Sequence, residues 1–306
     1  MAKVVVTGGA GFIGSHLAER LVLDGFEVVV IDNLKTGRIE NLSGFKDKLK
    51  FVEGDILDLE LLKKEFLGAE TVFHHAAIPS VPRSIEEPFE THEANSTGML
   101  NVLIAARDTG VRRVVCASSS SVYGDSEVMP KEESMTPKPL SLYAVHKFNN
   151  EMYANLFSKL YGLETVGLRY FNVFGPRQNP NSKYAAVIPL FIKKISSGEE
   201  VVINGDGETT RDFTFVRNVV EANILASKAE GITSEVMNIA CGERISLNDL
   251  VSKIGSIVGK EPKVVHTDFR VGDIKHSLAS IEKAKKVIGY VPQHTFEEGL
   301  RITIGG

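Results

Sequence analysis

Short aliphatic runs alternate with longer segments of helical period along much of the chain. "KVVVTG", "EVVVID", "LKFVEGD", "TVFHHAA", "RRVVCASS" and "LETVGLRY" read as strands, several of them apolar on both faces. Between them, "FIGSHLAERLVLDG" places Ile13, Leu17 and Leu21 on one helical face and stops at Gly25. "THEANSTGMLNVLIAARDTG" and "YAVHKFNNEMYANLFSKLYG" are helical in the same way, each ending in glycine. Strand and helix in alternation predict an α/β fold, a doubly wound parallel sheet covered by helices.

After "RYFNVFGPRQNPNSKYAAVIP" the pattern changes, because Gly, Pro and Asn cluster over a stretch too irregular for one element. A smaller C-terminal α/β lobe is predicted to begin there, giving units of 1–172 and 173–306. "RDFTFVRNVVEANILASKA" and "SEVMNIACGE" supply one more helix and strand that return to the sheet at about 213–240.

Composition narrows the partners. The 306 residues carry a formal net charge of -4, which gives no basic surface for nucleic acid and directs attention to small molecules. No apolar run approaches the roughly 20 residues of a membrane span, and "KVVVTGG" turns glycine-rich too early for a signal peptide, so a cytoplasmic protein is expected. Cys116 and Cys241 lie in strand-like stretches without metal or redox spacing, and both are expected to be buried and inert. His74 and His75 are adjacent in a strand and should face opposite sides, so no metal site is predicted.

The strongest chemical signal is "VVVTGGAGFIGSHL", where a strand is followed by Gly8, Gly11 and Gly14 and then a helix. Such glycines tighten the turn, admit a pyrophosphate to the backbone and let the helix pack on the sheet, as in a Rossmann dinucleotide site. Asp32 ends the second strand, eighteen residues beyond Gly14. A carboxylate there accepts hydrogen bonds from a ribose and repels a 2'-phosphate, which favours NAD over NADP. Asp55, in "GDI", either meets the adenine edge or makes an ordinary turn. "CASSSSVYGD" brings four serines to the carboxyl end of the fifth strand, where open parallel sheets hold ligands. Finally, "SLYAVHK" stacks Tyr143 and Lys147 one helical turn apart. A lysine at that distance, with a positive nicotinamide ring, would lower the phenol's pKa and make Tyr143 a general base.

Together, "TGGAGFIGSHL", "SSSSVYGD", "YAVHK" and "RYFNVFGPRQ" resemble the extended short-chain dehydrogenase/reductases, and within them the NAD-dependent UDP-sugar 4-epimerases. "SVPRS", "LRYFNVFGPRQNPN", "YAAVIP", "INGDGETTRDF" and "GDIKHSLASI" are most similar to UDP-N-acetylglucosamine 4-epimerases. The resemblance implies that Tyr143 removes the 4-hydroxyl proton while hydride passes from C4 to NAD. Lys147 would lower the tyrosine pKa and hold the nicotinamide ribose, with Ser119 on the 4-oxygen and Ser120 nearby. It further implies Phe12 and Ile13 at the pyrophosphate, and Asn33, Thr36 and Gly37 around the adenosine ribose. Asp55 and Ile56 would flank the adenine. Ala76, Ala77, Ile78, Asn95, Ser118 and Tyr170 complete the cofactor set. For the substrate it implies Asn172, Arg211 and Arg270 at the diphosphate, Ala186, Val187 and Asn204 near the uracil, and Asp273 near the ribose.

Related families narrow the reaction. Sugar-nucleotide dehydratases resemble "TDEVYG" and decarboxylases "TSEVYG", whereas here Ser120 and Ser121 occupy the acidic positions. Elimination would lack its carboxylates, which leaves epimerisation. Ser277 stands where narrow UDP-galactose 4-epimerases carry a tyrosine, so room for an N-acetyl group is expected. UDP-GlcNAc and UDP-GalNAc are the predicted substrates, with UDP-Glc and UDP-Gal alongside. A UDP-glucuronate 4-epimerase, a net alcohol dehydrogenase and a non-catalytic nucleotide-sensing module are the alternatives. A homodimer formed through the two long helices is implied as well.

Overall fold

The computed structural model describes residues 1–183, 185–268 and 276–305. Strand β1 (Lys3–Thr7) leads into helix α1 (Phe12–Leu23), followed by β2 (Glu27–Asp32) and β3 (Lys50–Glu53). Next come α2 (Leu59–Phe66), β4 (Ala69–His74), α3 (Val81–Glu86), α4 (Pro88–His92) and α5 (Gly98–Asp108). Strand β5 (Arg113–Ser119), helix α6 (Leu142–Tyr161) and strand β6 (Glu164–Tyr170) complete this half. The remaining strands are β7 (Val173–Phe174), β8 (Glu200–Asn204), β9 (Thr210–Arg211), β10 (Thr214–Phe215), β11 (Ser234–Ile239), β12 (Ile245–Ser246) and β13 (Lys263–Thr267). The helices among them are α7 (Val187–Ser197), α8 (Val216–Lys228), α9 (Leu247–Val258), α10 (Glu282–Ile288) and α11 (Phe296–Gly305).

A seven-stranded parallel sheet has the order β3-β2-β1-β4-β5-β6-β11. Its inner strands alternate between two cores. Val4, Val6, Val28 and Val30 face the layer containing α1, α8 and α10, while Val5, Val29 and Ile31 face the layer of α2, α5 and α6. The two-sided burial explains the unbroken valine runs in the sequence. Leu17 and Leu21 of α1 are wholly buried, and truncating either to alanine would cost about 2–5 kcal/mol. The strand order runs outward from β1 to β3 and then resumes on the other side at β4. The carboxyl ends of β1 and β4 therefore border the crevice where such sheets bind ligands.

Helix α6 is fixed at both ends by features visible in the sequence: Ser141 Oγ accepts from the Ala144 N–H at 3.1 Å, and Gly162 closes it at φ 72°. The helix predicted over 91–110 differs in detail. α4 passes through one wide i→i+5 turn at residues 93–97 before α5 begins.

The second core joins α7, β8, α9 and α11 around Phe174, Phe213, Phe215 and Phe296, whose rings pack at centroid distances of 5.4–6.4 Å. Strand β13 pairs in parallel with β8. The chain returns to the first lobe twice. α8 packs on α1 while β11 joins β6, and later Ala284, Ile288 and Tyr290 enter the same core as α1. The second return carries no chemical motif of its own. Phe12 and Ile13 also pack on the second core, so the start of α1 touches both lobes. Among the described residues, no helix is long and apolar enough to cross a membrane.

Candidate active site

The glycine turn is built by close approach. An added Cβ on Gly14 would lie 2.2 Å from the Gly8 carbonyl oxygen, and one on Gly8, whose φ is +70°, would lie 2.5 Å from the Ala76 nitrogen. Side chains at either position would push α1 away from the sheet or β1 away from β4. Gly11 precedes α1 and provides no capping side chain, so the first N–H groups of a twelve-residue helix face the crevice. Such a helix start forms a cradle of the kind that can receive a diphosphate.

Asp32 is held at the edge of the cradle. Its Oδ2 accepts from the Ala10 N–H at 2.9 Å and its Oδ1 from the Leu34 N–H at 2.8 Å. Burial pushes its carboxyl pKa up from the ordinary range, while those two N–H groups act in the opposite direction. Gly37 must be small because a Cβ there would come within 2.7 Å of Asp32 Oδ1. Asn33 Nδ2 donates to Asp55 Oδ2 at 2.8 Å, and the Leu57 N–H donates to Asp55 Oδ1 at 2.9 Å. Asp55 thus makes the local turn and also lines the crevice.

The chemical groups sit at the ends of β5 and α6. Ser119 Oγ accepts from the Ser121 N–H at 3.1 Å, and its hydroxyl acts on Tyr143 in the direction that lowers the phenol's pKa. Lys147 is buried, and its Nζ donates to the Ala117 carbonyl at 2.7 Å. The expectation that Lys147 lowers the tyrosine's pKa is not met among the protein's own groups. Burial pushes Tyr143 up to about 12, with only the nearby Ser119 hydroxyl acting against it. Burial likewise pulls Lys147 down to about 8. The sequence shows the spacing of this pair but not the depth at which it sits.

His74 and His75 take separate partners, as their strand position requires. His74 Nδ1 is 2.8 Å from Thr7 Oγ1, and His75 Nε2 is 3.1 Å from the Tyr170 hydroxyl. Tyr170 also accepts from Asn223 Nδ2 at 2.8 Å. Of the two cysteines, Cys116 is buried but Cys241 is only partly so, which corrects the expectation for the second. Burial raises both thiols to about 12.

One cavity of about 1020 Å³ contains most of these groups. Its wall includes Gly8, Gly11, Phe12, Ile13, Gly14, Asp32, Asn33, Thr36, Gly37, Asp55, Ile56, Ala76, Ala77 and Ile78. Ser118, Ser119, Ser120, Tyr143, Lys147 and Tyr170 lie farther along it, Asn172 joins it just past β6, and Ala186 and Ser277 reach it from the second lobe. Asn95 is not on the wall. Its Oδ1 accepts from the Ile78 N–H at 2.7 Å and its Nδ2 donates to the Ile78 carbonyl at 3.2 Å, so it braces the strand end from behind. Val187, Asn204 and Arg211 are also absent from the wall. Asn204 Oδ1 accepts from Thr267, and Arg211 Nη1 donates to the Thr210 carbonyl at 3.0 Å. Arg270 and Asp273 lie outside the described residues.

Several wall residues were not singled out in the sequence. Arg83 bridges Glu87 and Glu90, and Lys35 pairs with Glu90 across the mouth. Gln178 and His276 are further examples; Arg83 falls inside "SVPRS", Gln178 inside "LRYFNVFGPRQNPN" and His276 inside "GDIKHSLASI", whereas no motif marked Lys35 or Glu90. A second cavity of about 540 Å³ surrounds Arg113 and Glu164 at the amino ends of the strands, away from the serine, tyrosine and lysine.

Residues 4–240 match the NAD dependent epimerase/dehydratase family. The UDP-N-acetylglucosamine 4-epimerase from Methanobrevibacter ruminantium M1, solved with UDP-N-acetylmuramic acid, is 43% identical, with 99% of this chain and 97% of that one covered and a TM-score of 0.95. The Thermus thermophilus UDP-glucose 4-epimerase, solved with NAD, is 36% identical over 99% of this chain and 98% of that one, with a TM-score of 0.90. A UDP-glucuronate 4-epimerase of Thermodesulfobacterium geofontis is 34% identical over 99% of this chain and 95% of its own length. The chain belongs to the NAD dependent epimerase/dehydratase family, within the extended short-chain dehydrogenase/reductases, and the cofactor of that family is NAD.

Proposed function

We propose that this chain is an isomerase that inverts C4 of a UDP-hexose through a transient 4-keto sugar, with UDP-GlcNAc and UDP-GalNAc as substrates and UDP-Glc and UDP-Gal accepted beside them. The observation that carries this reading is the joining of Tyr143, Ser119 and Lys147 in one cavity with the glycine cradle, while Ser120 and Ser121 stand where eliminating enzymes need acids. Bound NAD would supply a reversible hydride acceptor. Its pyrophosphate would rest on the backbone of Gly11, Phe12 and Ile13, and its adenosine ribose on Asp32.

The chain's own groups handle the proton. Tyr143, in its ionised form, accepts the 4-hydroxyl proton and returns it after the sugar has turned. Ser119 keeps its own proton available, since its oxygen accepts from the Ser121 N–H, and so can hydrogen-bond the 4-oxygen. Lys147 uses one of three ammonium donors on Ala117, and in the loaded protein its charge, together with that of the nicotinamide ring, would favour the phenolate.

In this reading residues 1–172, with the return at about 213–240, hold the cofactor and 173–306 hold the nucleotide sugar. Arg211, Arg270, Asp273, Asn204 and Val187 would join the substrate only in the loaded protein. The small Ser277 on the wall supports an acetylated sugar. A homodimer is part of the proposal, because Met152, Leu156, Leu160 and Tyr161 expose an apolar face of α6. Light scattering at micromolar concentration tests it, and a monomer would refute it. The activity is tested by incubating the purified protein with UDP-GlcNAc, UDP-Glc and UDP-glucuronate and quantifying the C4 epimer. Conversion of UDP-GlcNAc is expected. Conversion of UDP-glucuronate alone would replace the substrate, and no conversion with NAD bound would favour a sensing module.

A further inference from the structure

Beneath the serine end of β5 lies a buried ion pair with no part in the chemistry above. Glu151 stands one helical turn beyond Lys147 on α6. Its Oε1 accepts from Arg169 Nε at 2.8 Å and its Oε2 from Arg169 Nη2 at 2.7 Å, a bidentate pair between α6 and β6. Ser118 Oγ, on β5, donates to the same Oε1 at 2.5 Å. One carboxylate therefore ties three elements together, and all three side chains are buried. Packing alone does not demand such a pair, because apolar replacement of a buried ion pair is often neutral or stabilising.

What surrounds Lys147 gives the pair a use. The Lys147 charge is felt by His74 of β4, His75 just after that strand, Cys116 of β5 and His146 on its own helix, beside His92 of α4, and its Nζ lies 5.8 Å from the centre of the Tyr143 ring. Burial pulls His74 and His75 down to about 3 and raises the thiol to about 12, so these three are uncharged near neutral pH. Burial lowers His146 too. Arg169 is cationic but leans over the Tyr123 ring, 4.7 Å from its centre. Among the described residues, Cys116 and then Glu151 favour the Lys147 ammonium, and of these two Glu151 is the carboxylate and stands one helical turn away.

We infer that Glu151, fixed by Arg169 and Ser118, is a positioning residue that keeps the buried Lys147 ammonium charged and holds the serine end of β5 against α6. This rests on the proposed reaction only for its effect on turnover, since the titration of Lys147 can be followed without it.

The experiment compares the NAD-loaded wild type with E151Q and with the double variant E151L/R169M, which removes the charge without leaving Arg169 unpaired. Lysine labelled with carbon-13 at Cε, assigned through K147R, reports the titration of Lys147 by NMR. The pH profile of kcat is recorded in parallel. The inference predicts that the Lys147 titration and the descending limb of the profile both move to lower pH by about one pH unit in the folded variants. A titration unchanged in the folded double variant would overturn it and leave a structural brace. Failure of both variants to fold would also overturn it. A wild type that turns over no sugar, with the NMR shift intact, would refute the proposed reaction but not the role of Glu151.

Discussion

Lys147 Nζ lies 5.8 Å from the centre of the Tyr143 ring and donates instead to the Ala117 carbonyl at 2.7 Å. In the proposed reaction the lysine can therefore help the tyrosine only through space, in the NAD-loaded protein, and only while it is charged. Burial holds Lys147 at about 8, below its ordinary value, so the ammonium predominates below that pH and is lost as pH rises through it. A kcat profile of the NAD-loaded protein should fall above pH 8, by about tenfold for each further pH unit at its steepest, as the charged form is depleted. Lys147→Met should lower kcat at neutral pH and remove this descending limb. A limb that persists in the variant would assign it to another group.

Replacing Tyr143 by phenylalanine removes the proton acceptor but leaves a ring of the same shape. The variant should keep its melting temperature and its NAD, measured by chromatography after denaturation, and lose about 10²–10⁴ of its epimerisation rate. Near-normal turnover would take Tyr143 out of the mechanism.

Gly14→Ala tests the cradle. The new Cβ would fall 2.2 Å from the Gly8 carbonyl, which is backbone and cannot swing aside, so the start of α1 must move. NAD retained after gel filtration should drop by about tenfold or more, the loss produced by roughly 1.4 kcal/mol or more of weakened binding. Full retention would show that the helix N-terminus does not hold the pyrophosphate.

Ser277→Tyr addresses sugar width. Ser277 is anchored by its own N–H on the Thr210 carbonyl at 3.1 Å, so a larger side chain there cannot easily retreat from the wall. Turnover of UDP-GlcNAc should fall far more than that of UDP-Glc, read as the ratio of kcat/KM values. An unchanged ratio would place the acetyl group elsewhere.

The legible parts of this fold were those set by local pattern. Valine runs and the helical period of Ile13, Leu17 and Leu21 placed β1, α1 and β2, and glycine spacing with Asp32 placed the cradle. Features that depend on distant packing were not legible. The return of Ala284, Ile288 and Tyr290 to the first core has no period of its own long enough to announce it. The Lys35–Glu90–Arg83 cluster at the cavity mouth joins segments far apart in the chain, and surface charges in sequence look alike whether or not they meet. Depth was equally hidden. The Tyr143 and Lys147 spacing marked a candidate pair, but the rise of the phenol and the fall of the ammonium come from burial.

The central claim is that a hydride leaves C4 of the sugar and returns to the same carbon while Tyr143 handles only a proton. It is tested most directly with UDP-GlcNAc deuterated at C4, incubated with the purified protein without added NAD and examined by proton NMR. The account predicts UDP-GalNAc that retains the deuterium at C4. Deuterium lost to solvent, or reduced nicotinamide accumulating in place of epimer, would contradict it.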